Sequence, residues 1–256
     1  MKKFKILKNF INYIKIEEVL TQVQYYLDNE KKKSFYITVN AVHGLVESYF
    51  NKEIRDAINN SDLAIPDGRP IYWTLKLLGK QTDHIPGYFL TDELIKLSLK
   101  KNLNFGILGS TNKVQIDFIN ELKKINKDLN FSYKYSPPFR KLETQEEQKI
   151  KKDIEDSKID ILFVALGAPK QELWMYKNND LHCVMIGIGA AVDFISKNKK
   201  KPPQFLINLG LGWLFRLVHE PRRLFLRYFF TNSFYILMVF IQLTKIKFYN
   251  LLGIKI

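Results

Sequence analysis

Among its 256 residues this chain has a single cysteine, Cys183, so no disulfide framework can brace it and a reducing, cytoplasmic setting fits. Cys183 lies in the apolar run HCVMIGIG and reads as a small buried hydrophobe. Histidine is scarce as well. The four (His43, His84, His182, His219) are scattered and offer no zinc-type spacing. No Asp-x-Asp stands at a strand end of the kind that holds a divalent cation on a nucleotide diphosphate; the acidic run 153–156 reads as a solvated helix face. A complete Gly-x-Gly-x-x-Gly, with an acid about 20 residues on, is missing too, which argues against a nicotinamide-dependent oxidoreductase. Chemistry without metal or cofactor is therefore expected. The basic N-terminus MKKFKILKNFINYIK has scattered apolar residues and no small-residue cleavage site after it, so it does not read as a secretory signal. There is no internal repeat and no low-complexity tract.

What the chain does have is a core and a basic pole. Hydrophobic residues make up 46%, too many for a disordered chain. The net charge of +14 is unevenly placed: from Lys197 onward there are eleven lysines and arginines against one acid, Glu220. A basic pole fits nucleic acid or anionic lipid, and the company it keeps favours lipid. The apolar run FFTNSFYILMVFIQL (229–243) sits between Arg222, Arg223 and Arg227 on one side and Lys245 and Lys247 on the other, as in a surface-lying membrane element. At about fifteen residues it is short for a span, which needs roughly 20. A buried core helix or a contact between copies of the chain would use the same run.

Strand-like and helix-like segments alternate through the first three quarters. Strands are expected at 35–41, 62–66, 104–109, in FSYKYS, in ILFVALG and in CVMIGIG, with helices between them. One helix should end at Gly79, one should be capped by Ser110 or Thr111, and one should carry a capping box of Thr144 and Glu147. Continuous apolar strands alternating with helices indicate an α/β fold, a parallel sheet covered on both faces. The cationic, proline-ended break KNKKKPP then separates residues 1–200 from a helical, aromatic appendage, 201–256.

In such a sheet ligands sit at the carboxyl ends of the strands. The polar residues expected there are Thr38 and Asn40, followed by His43; Asp67 in IPDGRP; Gly109, Ser110 and Thr111; the turn from Gly167 to Glu172; and Gly187, Gly189 and Asp193. Asp67 is the one carboxylate immediately at a strand end beside a Gly turn, where it can act as a general base, although Asp-Gly is also a common turn dipeptide. In DILFVALGAPKQELW, Pro169 suits the first helical position. The helix start beside Lys170 offers N–H groups to an anion, and Gln171 adds an amide that donates and accepts. Arg216, Arg223 and Arg227 are spaced to share a helical face, with Pro221 as a break between them. Guanidinium forks suit a diphosphate.

The ordered motifs TVNAVHGLVE, LAIPDGRPIYW, FGILGS, SPPFR, DILFVALGAPKQELW, GIGAAVDF and GLGWLFRLVHEPRRLFLRY resemble the WecG/TagA/CpsF family of bacterial glycosyltransferases from about Thr38 to Tyr228. The resemblance implies a Rossmann-like fold and transfer from a UDP-sugar, typically of UDP-N-acetylmannosamine type. The acceptor would be a saccharide on a polyprenyl diphosphate at the inner face of the cell membrane, as in cell-surface polysaccharide synthesis. It puts the catalytic base on Asp67, other site residues on Thr38, Asn40 and Gln171, and the arginines of a membrane-associating appendage on Arg216, Arg223 and Arg227. Gly109, Ser110, Gly167, Lys170, Glu172 and Gly189 complete the expected substrate-binding set. Two positions depart from the family pattern. His84 stands where an arginine is common, so a phosphate contact there becomes pH-sensitive or is lost. Gly212 stands where a glutamate is common. Inverting, metal-independent transfer is the expectation. Its rival is a non-catalytic nucleotide- or lipid-binding scaffold that uses the basic tail.

Overall fold

The computed structural model describes residues 2–29, 33–140 and 142–251. Strands β1 (Lys3–Ile6) and β2 (Asn9–Asn12) open it as an antiparallel hairpin, followed by helix α1 (Ile16–Asp28). The body then alternates: β3 (Phe35–Asn40), α2 (Val42–Phe50), α3 (Lys52–Asn59), β4 (Leu63–Pro66), α4 (Arg69–Leu77), α5 (Gly87–Ser98), β5 (Asn104–Gly109), α6 (Asn112–Leu122), β6 (Asn130–Tyr135), α7 (Thr144–Asp156), β7 (Ile161–Ala165), α8 (Lys170–Lys177), β8 (Val184–Gly187) and α9 (Ala191–Ile195). The last six strands form one parallel sheet in the order β4-β3-β8-β7-β5-β6. Hydrophobic strands without polar alternation are what a sheet covered on both faces requires. β7 shows why. Phe163 enters one layer, with α1, α5, α6 and α9, while Leu162 and Val164 enter the other, with α7 and α8. Phe105 and Phe163 stack at 5.8 Å between ring centroids within the first layer.

The hairpin and α1 were not foreseen. β1 and β2 are only four residues each, KFKI and NFIN, so they carry no long hydrophobic signal. Side chains tie the hairpin to the sheet: Asn12 Oδ1 accepts from the Ala64 N–H at 2.8 Å, and Lys3 Nζ donates to the Ser61 carbonyl at 2.8 Å. Two helix starts shift by a residue. Glu143, not Thr144, precedes the first turn of α7, and its N–H donates to the Glu146 carboxylate at 2.9 Å. Pro169 caps α8 from outside the first turn, which begins at Lys170.

The appendage comprises α10 (Gln204–Asn208), α11 (Gly212–His219) and α12 (Pro221–Leu251). The expected break falls here: α11 ends at His219 and Pro221 opens α12, where its missing N–H leaves no bond unmade. The apolar run 229–243 is thus the middle of a 31-residue helix, roughly 46 Å long at about 1.5 Å per residue. The stretch Pro221–Tyr249 is long and apolar enough to cross a membrane by length and composition. One face of α12, however, packs on the body through buried Leu224, Tyr228, Thr231, Tyr235 and Val239. Tyr235 and Thr74 hydroxyls meet at 2.9 Å, and Gln242 bonds the Leu7 N–H at 2.9 Å and the Lys5 carbonyl at 2.6 Å.

Candidate active site

Because the sheet is parallel, the carboxyl ends of its strands share one edge. At the end of β4 the chain turns through Pro66-Asp67-Gly68 into α4. β3 holds that turn: the Asn40 carbonyl accepts from the N–H groups of Asp67 (3.0 Å) and Gly68 (3.2 Å). Asn40 is itself fixed by its side-chain amide, which donates to the Thr38 carbonyl and hydroxyl, both at 3.0 Å. Thr38 and Asn40 are therefore buried supports of the aspartate loop. The Gly87 N–H, at the start of α5, reaches Asp67 Oδ1 at 3.3 Å. Burial pushes the Asp67 carboxyl up to about 6, against the opposing pull of the Gly87 N–H and Arg216.

Asp67 faces a cavity of about 170 Å³ that is closed by the appendage. Arg216 of α11 lines it and lies 5.8 Å from the Phe194 ring. Trp213 and Tyr228, edge to face at 6.0 Å, form the outer wall. His84 also lines the cleft. Its Nε2–H donates to the Asp67 carbonyl at 2.5 Å, and burial with the nearby Arg69 charge lowers its pKa to about 4. It is neutral near pH 7, so it contributes neither a cation nor a physiological pH switch at the place where the resemblance expects an arginine. Arg69 supplies a guanidinium on the same wall instead. Its Nη2 donates to Asn208 Oδ1 at 3.0 Å, while its buried Nε has no partner. Gly212 lines the cleft without a side chain.

A buried polar file runs behind the cleft. Gln171 Nε2 donates to Glu172 Oε1 at 2.9 Å, leaving Gln171 Oε1 and Glu172 Oε2 buried without partners. The file passes close under β8: a Cβ on Gly187 would come within 2.9 Å of Gln171 Nε2. Burial, helped by the negative charge of Glu47 and opposed by the Gln171 hydrogen bond, raises Glu172 to about 7. Glu47 is raised by burial and eased by Arg227. His43, also on α2, is lowered to about 4 by burial and by the charges of Arg227 and Arg216. Arg216 and Arg227 thus act on one neighbourhood from two helices rather than along one face.

The remaining expected residues stand apart from the cavity. Arg223 is exposed and paired with Glu220, its Nε at 2.6 Å from Oε2. Gly109 (φ +106°) passes so close to β7 that a Cβ would meet the Ala165 carbonyl carbon at 2.5 Å. Ser110 is held at φ +63° with its carbonyl accepting from Ser136. Gly167 (φ +79°) has open space where a Cβ would point, and Lys170 is exposed. The Asp67 and Gly167 turns meet through β8. Gly87, which holds Asp67, packs on Ile188, and Gly189 next to it packs on Gln171. Arg69, Glu47, Trp213 and Tyr228 were not singled out from the sequence. All four lie in quoted motifs, Glu47 in TVNAVHGLVE and Arg69 in LAIPDGRPIYW, but nothing in those motifs marks which way the side chains turn. Among the described residues no group of three or more His, Cys, Asp or Glu side chains is gathered as a metal site.

A half-buried carboxylate and an arginine lining one cleft over a sheet edge suit proton removal coupled to departure of an anion. The profile of the Glycosyl transferase WecG/TagA/CpsF family matches residues 4–248. An N-acetylglucosaminyldiphosphoundecaprenol N-acetyl-beta-D-mannosaminyltransferase of Bacillus spizizenii is 30% identical over 201 residues, 77% of this chain and 76% of the relative. A protein of the same name from Bacillus subtilis is 26% identical over 220 residues, 85% and 80% of the two chains. One from Staphylococcus aureus is 27% identical over 172 residues, 66% of each. The chain belongs to the WecG/TagA/CpsF family, and it is a glycosyltransferase.

Proposed function

We propose that the chain moves an N-acetylmannosamine-type sugar from a UDP donor to an N-acetylglucosaminyl diphosphate carried on a polyprenol, at the cytoplasmic face of the membrane. The observation that carries the reading is the cleft in which Asp67 and Arg216 face each other. An acceptor hydroxyl gives its proton to the Asp67 carboxylate as its oxygen bonds the anomeric carbon. The bond from that carbon to the UDP oxygen breaks on the opposite face and UDP leaves with the electron pair, which inverts the centre. A carboxyl with a pKa of about 6 is a suitable base, since proton transfer is most effective when the base titrates near the working pH. Negative charge growing on the diphosphate is met by Arg216, with Arg227 behind it and Arg69 beside it. Such a preorganised donor is worth roughly 3–4 kcal/mol.

The nucleotide extends from the cleft along the sheet edge toward the turns at Gly167–Lys170 and Gly109–Ser110, where helix starts favour anions. Gly189 and the Gln171–Glu172 pair floor this route. The arginines leave no step that calls for a divalent cation, so turnover in excess EDTA should equal that in magnesium. An EDTA-abolished, magnesium-restored activity would overturn this part. The cationic appendage and the exposed face of α12 rest on anionic lipid, while the packed face keeps the helix on the protein. The test is product analysis on a panel of UDP-sugars with a short-chain N-acetylglucosaminyl diphosphate acceptor. Transfer from UDP-N-acetylmannosamine well above the other donors supports the reading. Binding of UDP or lipid with no transfer from any donor contradicts it.

A further inference from the structure

A second cavity, of about 520 Å³, adjoins the Asp67 cleft. It runs between α4, α11 and α12, with Trp73, Leu217, Phe225, Phe229, Tyr235 and Ile236 as its walls. Its lining is almost all aliphatic or aromatic, and its size is in the range of small-molecule sites, roughly 300–1,000 Å³. Trp73, Phe229 and Ile236 remain 41%, 61% and 65% exposed, which is apolar surface in search of an occupant. The two cavities share Val42, Pro70, Gly210, Trp213, Tyr228 and Asn232, so they meet along a common wall. Gly210 builds that junction. At φ +72°, with Trp73 ring carbon 2.1 Å from where a Cβ would stand, only glycine lets the indole lie across the loop.

We propose that this groove holds the first isoprene units of the lipid-linked acceptor. The inference rests on the acceptor class proposed above. In such an acceptor only a diphosphate separates the reacting sugar from the polyprenol, so a sugar seated at Asp67 must release its hydrocarbon chain within a few bond lengths of the cleft. The apolar cavity that opens there is this one, and Asn232 at the junction offers an amide to the passing diphosphate. The groove is distinct from the surface that faces a bilayer. Leu226, Phe230, Leu237 and Phe240 are exposed on α12 and line neither cavity. One set of α12 side chains therefore grips a single chain while the other meets the membrane.

The experiment uses detergent-free assays with N-acetylglucosaminyl diphosphates bearing an ethyl, geranyl, farnesyl or geranylgeranyl group. KM should fall steeply through the first isoprene units and then level off. Ser233→Trp and Ile236→Trp, which plug the groove outside the reacting cleft, should raise KM for the farnesyl acceptor by roughly tenfold, the scale of several buried methylenes. They should leave kcat, and KM for the ethyl acceptor, unchanged. Equal KM values across the chain lengths, or equal losses for ethyl and farnesyl acceptors, would overturn the proposal. A direct arm stands apart from turnover: farnesyl diphosphate should quench wild-type tryptophan fluorescence saturably, and Trp73→Phe should remove much of the change. If no acceptor is glycosylated while quenching persists, the reading of the reaction fails and the groove stands. If transfer proceeds and quenching is absent, the groove fails alone. Quenching that follows the monomer–dimer equilibrium rather than ligand concentration would assign the groove to a second copy and overturn the proposal.

Discussion

Asp67 must be ionised to act, in a place that disfavours its charge. Burial holds its carboxyl near 6, so kcat/KM should rise with pH through about that value. The groups around it do not obscure this limb. His43 and His84 both titrate near 4, and Glu172, near 7, does not line the cleft. Glu172→Gln should therefore leave the acid limb in place, and a limb that disappears in that variant would move the titrating group to Glu172. The arginines divide in the same way. Arg216→Ala should lower kcat by roughly 10²–10³-fold, as loss of one preorganised donor does. Arg223→Ala should change it only a fewfold, because an exposed pair such as Arg223–Glu220 is worth about 0–1 kcal/mol. Comparable losses in both variants would put Arg223 back at the diphosphate. Asp67 was legible because a strand end followed by Asp-Gly fixes where a side chain emerges. Arg69 and Glu47 were not, since which face of α4 and α2 meets the cleft depends on how α11 and α12 lie over them.

The element that decides most is α12. Its buried residues, 224, 228, 231, 235 and 239, recur every three or four positions, the spacing of one helical face. Their seat on the body fixes where Arg227 and Tyr228 stand. Tyr235→Phe keeps the ring and removes the hydroxyl's bond to Thr74 and its longer one, 3.4 Å, to the Pro70 carbonyl, so it should cost about 1 kcal/mol in chemical denaturation. A change within error would mean that Thr74 is satisfied by the Pro70 carbonyl alone. The strands were readable because both faces of the sheet are buried and their apolar runs are unbroken. The hairpin was not, as two four-residue strands, KFKI and NFIN, look like a solvated terminus. The break at Pro221 was readable for a local reason: proline is excluded from a helix interior but fits its first turn, so the helical sequence divides at Glu220 and puts Arg216 on a different helix from Arg223 and Arg227.

At the scale of the whole molecule, four perturbed groups oppose one another. Asp67 and Glu172 have raised pKa values, so their contribution to stability is present at low pH and lost as pH rises through about 6 and 7. His43 and His84 are held near 4. Their contribution is present above the ordinary imidazole range and lost as pH falls toward 4, because the unfolded rings take up protons first. Between pH 5 and 7 the two pairs nearly cancel, and Tm should be almost flat while activity is steep. Asp67→Asn removes one of the opposing terms, so its Tm should fall as pH drops across that window. A parallel, flat profile in the variant would show that Asp67 is not shifted. The charge of the last quarter acts at the same scale: binding to anionic vesicles should weaken with salt.

The central claim is tested most directly by following single-turnover transfer in Asp67→Asn alongside UDP binding by calorimetry. The account predicts UDP affinity within about twofold of wild type and a transfer rate lower by roughly 10²–10⁴-fold, the contribution of a positioned base. Transfer at the wild-type rate would remove Asp67 from the chemistry, and loss of UDP affinity in step with rate would make it a donor-binding residue instead.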